Sequence, residues 1–181
     1  MKFVVALALS GAILAVAACG GAEEPGVTAD AVPDAVETDV AETEPVVLAN
    51  GMTVAETIST RQENLKGMGG ALKTVSDNVR SGSPDMAAIQ AAAVTLKGHS
   101  ENIGTWFPEG TGPESGLETD ALPAIWEQPD EFAAAVERFQ VAALALSTAA
   151  ESGDAAAVGA AFRPTGGSCG GCHDSFRADD D

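Results

Sequence analysis

Apolar side chains recur at steps of three and four along most of the chain beyond residue 53. Val54, Ile58, Arg61, Leu65, Met68, Leu72, Val75 and Val79 follow at spacings of 4, 3, 4, 3, 4, 3 and 4, the seam of a bundle helix. Thr53 with Glu56 three residues on is a capping-box start for it. Arg61 breaks the apolar stripe. A guanidinium at a core position is costly unless an anion meets it, so the helix either rolls there or faces a buried anion.

Ser81-Gly82-Ser83-Pro84 ends this helix and predicts a second, with Ser83 as cap and Pro84 at its first position. Met86, Ile89, Ala93, Leu96 and Ile103 mark its inner face. The pattern then fails from Gly104 to about Gln128, where prolines 108, 113 and 123 and glycines 110, 112 and 116 predict a long crossover. Pro129-Asp130 opens a third helix with Phe132, Val136, Phe139, Ala143 and Leu146 inward. Gly153-Asp154 stops it and caps a fourth, bearing Val158, Phe162, Cys169, Cys172 and Phe176. Pro164 falls inside the fourth, so that helix either begins late or kinks. The expected fold is all-α, an antiparallel four-helix bundle with one long crossover loop between helices 2 and 3.

The segment ahead of the bundle is of a different kind. Residues 1–18 combine Lys2 with a short apolar run and read as a secretory signal, too short to span a membrane. Val16-Ala17-Ala18-Cys19 resembles a bacterial lipobox, which makes Cys19 the lipidated mature N-terminus on the periplasmic side of a bacterial membrane. From Gly20 to Asn50 there are eight acidic residues, no basic ones and three prolines, the composition of an extended tether. Three units result: 1–18 signal, 19–50 lipidated cysteine and tether, 51–181 folded domain.

The 181 residues are 45% hydrophobic but only 4% aromatic, with no Tyr, a balance that suits helices better than strands. A formal net charge of −18 repels phosphate backbones and excludes nucleic acid as a partner. Contact with a membrane is expected through the lipid alone.

The chemistry is concentrated at Cys169-Gly170-Gly171-Cys172-His173. C-x-x-C-H is the attachment pattern of haem c. On a helix the three-residue step puts both thiols on one face, with the histidine beside them. A redox dithiol would need a βαβ setting that is not visible, and a zinc site would need more ligands than His99, the one other histidine, can supply. Only eight residues follow His173, with no Met among them, so any sixth iron ligand comes from another helix.

With Arg61-Gln62 and Leu65, Trp106 through FPEGTGPESG to Ala124-Ile125-Trp126, Gly153-Asp154 with Ala160-Ala161-Phe162, and the final CGGCHDSFR, the chain over about 53–177 resembles cytochrome c′, the class II cytochrome c family. The resemblance implies a haem-binding four-helix bundle, usually a homodimer, that is not an enzyme. It implies covalent haem on Cys169 and Cys172 and His173 as axial ligand. Arg177 lies one turn on beside it, Arg61 and Gln62 at the haem pocket with Arg61 on a propionate, and Asp120 near the propionates. Leu65 falls at the distal position, where an apolar side chain leaves iron five-coordinate and open to nitric oxide or carbon monoxide. A redox partner protein is also expected. The competing expectation is a six-coordinate electron carrier with Met68 on iron; His99 is a weaker candidate. Trp106 and Trp126 read as anchors of the crossover.

Overall fold

The computed structural model describes residues 45–179; the signal, Cys19 and the tether up to residue 44 lie outside the described residues. Four long helices and one single-turn helix carry the fold: α1 Val54–Arg80, α2 Met86–Ser100, α3 Ala124–Glu127, α4 Pro129–Ser152 and α5 Ala155–Phe176. Short 3-10 turns occupy Ile103–Thr105 and Pro113–Ser115. No strand is present among the described residues beyond two isolated bridges, Val47 with Thr53 and Ala121 with Arg177.

The helix ends follow local chemistry. Thr53 Oγ1 accepts from Glu56 N at 3.2 Å while Thr53 N donates to Glu56 Oε2 at 2.8 Å, the reciprocal capping box. That backbone bond holds the Glu56 carboxyl below its ordinary range. The cap of α2 is Asp85 rather than Ser83. Its carboxylate accepts from Ala87 N and Ala88 N, two amides that one serine hydroxyl would satisfy less well, and Pro84 therefore stands outside the helix. Gly153, at φ +72°, ends α4 in the left-handed region, and Asp154 caps α5.

Helix α5 runs unbroken through Pro164. Thr165, fully buried, donates from Oγ1 toward Ala142 O on α4 (3.2 Å) and Ala161 O of its own helix (3.0 Å). The side chain next to the proline thus ties that turn to its neighbour.

In cross-section the order is α1, α2, α4, α5. Helix α2 packs against α1 and α4, and α4 against α5, while α1 and α5 meet least. The main core sits between them on Val75, Ile89, Leu96, Leu146 and Val158, all fully buried. The α1 stripe is buried at Ile58, Arg61, Met68 and Val75 but fades at Val79, which is 36% exposed. A second, smaller cluster of Ala121, Ile125, Ala135 and Phe176 lies under the crossover.

Candidate haem site

Where α1 and α5 part, a cavity of about 570 Å³ opens, within the range of about 300–1,000 Å³ usual for cofactor-sized ligands. Its apolar walls include Leu65, Met68 and Leu72 from α1, Phe132 and Phe139 from α4, and Phe107 and Ile125 from the crossover region. Cys169, Cys172, His173, Phe176 and Arg177 line it from α5, with Arg61, Gln62, Thr119 and Asp120 adding polar groups. Every residue singled out in the described sequence for cofactor contact therefore faces one cavity. His99 is not among them; it packs edge-on against Trp106 with ring centroids 5.5 Å apart.

Arg61 is only 2% exposed. Its Nη1 donates to Thr111 Oγ1 (3.1 Å) and to Trp106 O (3.5 Å). Its Nη2 donates to Thr111 O (3.0 Å) and to Thr119 Oγ1 (2.8 Å), and the guanidinium carbon lies 4.7 Å above the Phe107 ring. Burial pushes its pKa down, Glu114 pushes it back up, and a guanidinium stays charged regardless. The core cation is thus met first by neutral acceptors of the crossover. Gln62 Nε2 donates to Glu118 O at 3.2 Å, a second stitch between α1 and the same loop.

The crossover is closed from its other end by the last residues of the described chain. Leu122 N donates to Phe176 O (3.0 Å), Ala178 N donates to Asp120 O (2.8 Å), and Arg177 Nε lies 3.9 Å from Asp120 Oδ2. Arg61, Thr119, Asp120 and Arg177 consequently form one contiguous polar edge on an otherwise apolar pocket. Such a cavity suits a flat, largely apolar ligand with anionic groups along one side.

Beneath this edge, Phe107, Phe132 and Phe176 pack in T-shaped pairs, with centroids 5.1 and 5.3 Å apart. Trp126 adds to Phe107 at 6.4 Å and donates Nε1–H to Phe107 O at 3.1 Å, so it does anchor the crossover. Gly112 makes that close approach possible, because a Cβ there would come within 2.8 Å of the Trp126 ring and would also strike the Glu114 carboxylate. The role of Phe107 as the meeting point of Arg61, Trp126 and the cavity was missing from the sequence reading. Its only signal was an aromatic next to Trp106 ahead of a proline.

Burial raises both thiol pKa values; the Cys169 charge raises that of Cys172 further and Arg138 lowers it. Thiols held protonated are poor redox nucleophiles. Among the described residues no three His, Cys, Asp or Glu side chains converge as a metal site. Gly69 lines the cavity, but Gly166, Gly167, Gly170 and Gly171 do not, and a Cβ on any of the four would meet nothing within 4 Å.

The family model described as "Cytochrome C'" matches residues 56–177. A cytochrome c′ of Pararhodospirillum photometricum is 36% identical over 118 residues, 65% of this chain and 92% of that protein. Against several other curated relatives the match spans 48–63% of their length. Among solved structures, a cytochrome c′ with ligand-controlled dimer dissociation superposes with a TM-score of 0.66 at 28% identity, covering 71% of this chain and 99% of that one. The nitric oxide complex of a leucine-to-isoleucine mutant of cytochrome c prime from Alcaligenes xylosoxidans gives a TM-score of 0.62 at 31% identity, covering 70% and 97%. The helical bundle agrees with these relatives, and the chain belongs to the cytochrome c′ family, whose members carry one covalently attached haem c.

Proposed function

We infer that the chain binds nitric oxide and carbon monoxide at five-coordinate haem iron and exchanges electrons with a redox partner, without turnover of its own. Cys169 and Cys172 supply the thioether sulfurs and His173 the axial nitrogen. Arg61 and Gln62 serve the propionate edge with Asp120, and Arg177 flanks the His173 side. The bound group supplies a redox-active iron with an exchangeable site. Leu65 is the observation that carries the reading: from α1 it places an aliphatic side chain in the cavity that His173 enters from α5. A branched hydrocarbon cannot ligate iron and offers no hydrogen bond to bound dioxygen, so small neutral diatomics are favoured over polar ligands.

Met68 supports a second reading, six-coordinate low-spin iron, because its thioether lines the same cavity. It is 7% exposed and packed into the main core, which supports the reading of it as filler. Optical and EPR spectra of the purified holoprotein decide between the two. A high-spin signal unchanged in Met68→Leu, with a spectral shift when nitric oxide is added to the ferrous form, is expected. A low-spin signal abolished by Met68→Leu would transfer the distal role to Met68.

The solved relative with a dissociating dimer and the lipobox extend the reading to a homodimer held by Cys19 lipid on the periplasmic side, with the acidic tether as spacer. Mass spectrometry of the membrane-extracted protein should find a diacylglyceryl group on Cys19 at the mature N-terminus. Recovery of an unmodified thiol there defeats the anchor.

A further inference from the structure

Charge is unevenly spread over this chain. Acids outnumber Lys and Arg by 27 to 9, yet among the described residues Asp120 is the one acid lining the haem cavity, against Arg61, Lys66 and Arg177. Arg61 and Arg177 belong to the polar edge with Asp120. Lys66 belongs to a second set. Lys73 follows it at seven residues, two turns on along the same side of α1. No acid falls on α1 from Asn64 to Ser76 or on α5 from Ala155 to His173, and the Lys or Arg in that α5 stretch is Arg163.

The two acid-free stretches run side by side. A Cβ on Gly159 of α5 would meet Val79 of α1 at 3.7 Å, and Arg163 stands one turn beyond Gly159 on the same side of α5. Lys66, Lys73 and Arg163 are all exposed. Lys73 pairs with Asp77 at 2.6 Å, but its side chain stays 74% exposed, and a surface pair of this kind is loosely held. Gly70 lies between the two lysines, and Gly167 and Gly170 follow Arg163 at four and seven residues. All three are exposed, and a Cβ on any of them would meet nothing within 4 Å. The ground between the cations is therefore bare backbone, over which another surface can come close to the cavity.

We propose that this α1–α5 edge, through Lys66, Lys73 and Arg163, is where an acidic face of a redox partner protein docks. Complementary charge sets the rate and orientation of encounter, and here it brings the partner to the side of the bundle where the cavity opens. Lys66 and Lys73 stand about 10 Å apart along α1 at 1.5 Å per residue, a spread that suits a protein surface better than one small anion. An anionic bilayer is a poorer occupant, since a chain of net charge −18 is repelled by it. A basic partner would select the acidic faces instead. The role of this edge rests on the electron-exchange reading above.

Stopped-flow oxidation of the ferrous holoprotein tests it, with ferricyanide and tris(phenanthroline)cobalt(III) as anionic and cationic acceptors over a range of salt. Each reagent takes one electron from the holoprotein, so the salt trend of each reports the charge it meets on approach. Ferricyanide should be slowed by salt and the cobalt complex quickened, the reverse of what a net charge of −18 dictates. In the double variant Lys73→Glu and Arg163→Glu, ferricyanide should react about tenfold more slowly at low salt, the lower end of what steering contributes. Both salt trends should invert there, with an unaltered Soret band. Poly-L-glutamate should compete with ferricyanide in the wild type and not in the variant. Ferricyanide quickened by salt in the wild type, equal rates in wild type and variant, or no competition by poly-L-glutamate each overturns the docking edge. Oxidation by neither reagent overturns electron exchange itself. Should the glutamates impair haem retention, Lys73→Gln with Arg163→Gln decides, with the same changes expected at smaller size.

Discussion

Replacing Arg61 by Met should cost about 1.5–3 kcal/mol of stability, the range for hydrogen bonds to a charged group, and should loosen the crossover before the bundle. Methionine keeps the stem but leaves Thr111 O, Thr111 Oγ1 and Trp106 O without the donor they now have, while Thr119 Oγ1 keeps only the Ala121 amide. A buried group left unpaired costs about 1–3 kcal/mol, and Thr111 is fully buried. The stacking on Phe107 disappears as well. Arg61→Lys should rescue only part, because one ammonium cannot reproduce a planar fork that reaches both threonines at once. Urea unfolding followed by far-UV circular dichroism and by the Soret band measures the loss. If Arg61→Met costs less than about 1 kcal/mol, the value of one ordinary hydrogen bond, the network is dispensable and the cation serves the cofactor alone.

The second large effect belongs to α5. In the double variant Cys169→Ala and Cys172→Ala, which cannot attach haem covalently, the helix beyond Thr165 should melt, removing roughly three turns at 3.6 residues each. Gly166, Gly167, Gly170 and Gly171 each disfavour helix by about 1 kcal/mol relative to Ala, and a helix-interior Pro by about 3. No contact within the protein requires those glycines, so the segment depends on packing, and beside it lies the 570 Å³ cavity. Amide hydrogen exchange should show 166–176 unprotected in the variant and protected in the holoprotein, with α2 and α4 similar in both. Equal protection of 166–176 in the two forms would mean that the helix stands without its ligand.

Local chemistry was readable wherever a residue acts on its neighbours. The Thr53–Glu56 box, the Gly153–Asp154 break and the three-residue step of the cysteines all depend on a few adjacent positions, and each stands as the pattern implied. Ser83 was expected as the cap of α2, and the cap is Asp85 two residues on, because its carboxylate reaches two amides. Arg61 could be recognised as a cation needing a partner, but the partners are neutral and lie 45 to 58 positions away. Periodicity has no means of locating them. The same holds for the antiparallel bridge between Ala121 and Arg177 and for the aromatic cluster under the crossover. The single turn of α3 is too short to have a period at all.

The bridge from Ala121 to Arg177 also sets an order of assembly. Closing it joins residues distant in sequence, and such contacts form late because loop entropy must be overcome first. Helices α1, α2 and α4 can associate through the main core before the last residues arrive, whereas the crossover has no fixed partner at its far end until Phe176 and Ala178 dock. The C-terminus is therefore the final fastener of the fold. Deleting the residues after Phe176 would leave the motif intact while removing the Arg177 and Ala178 contacts that shut the wall of the haem cavity.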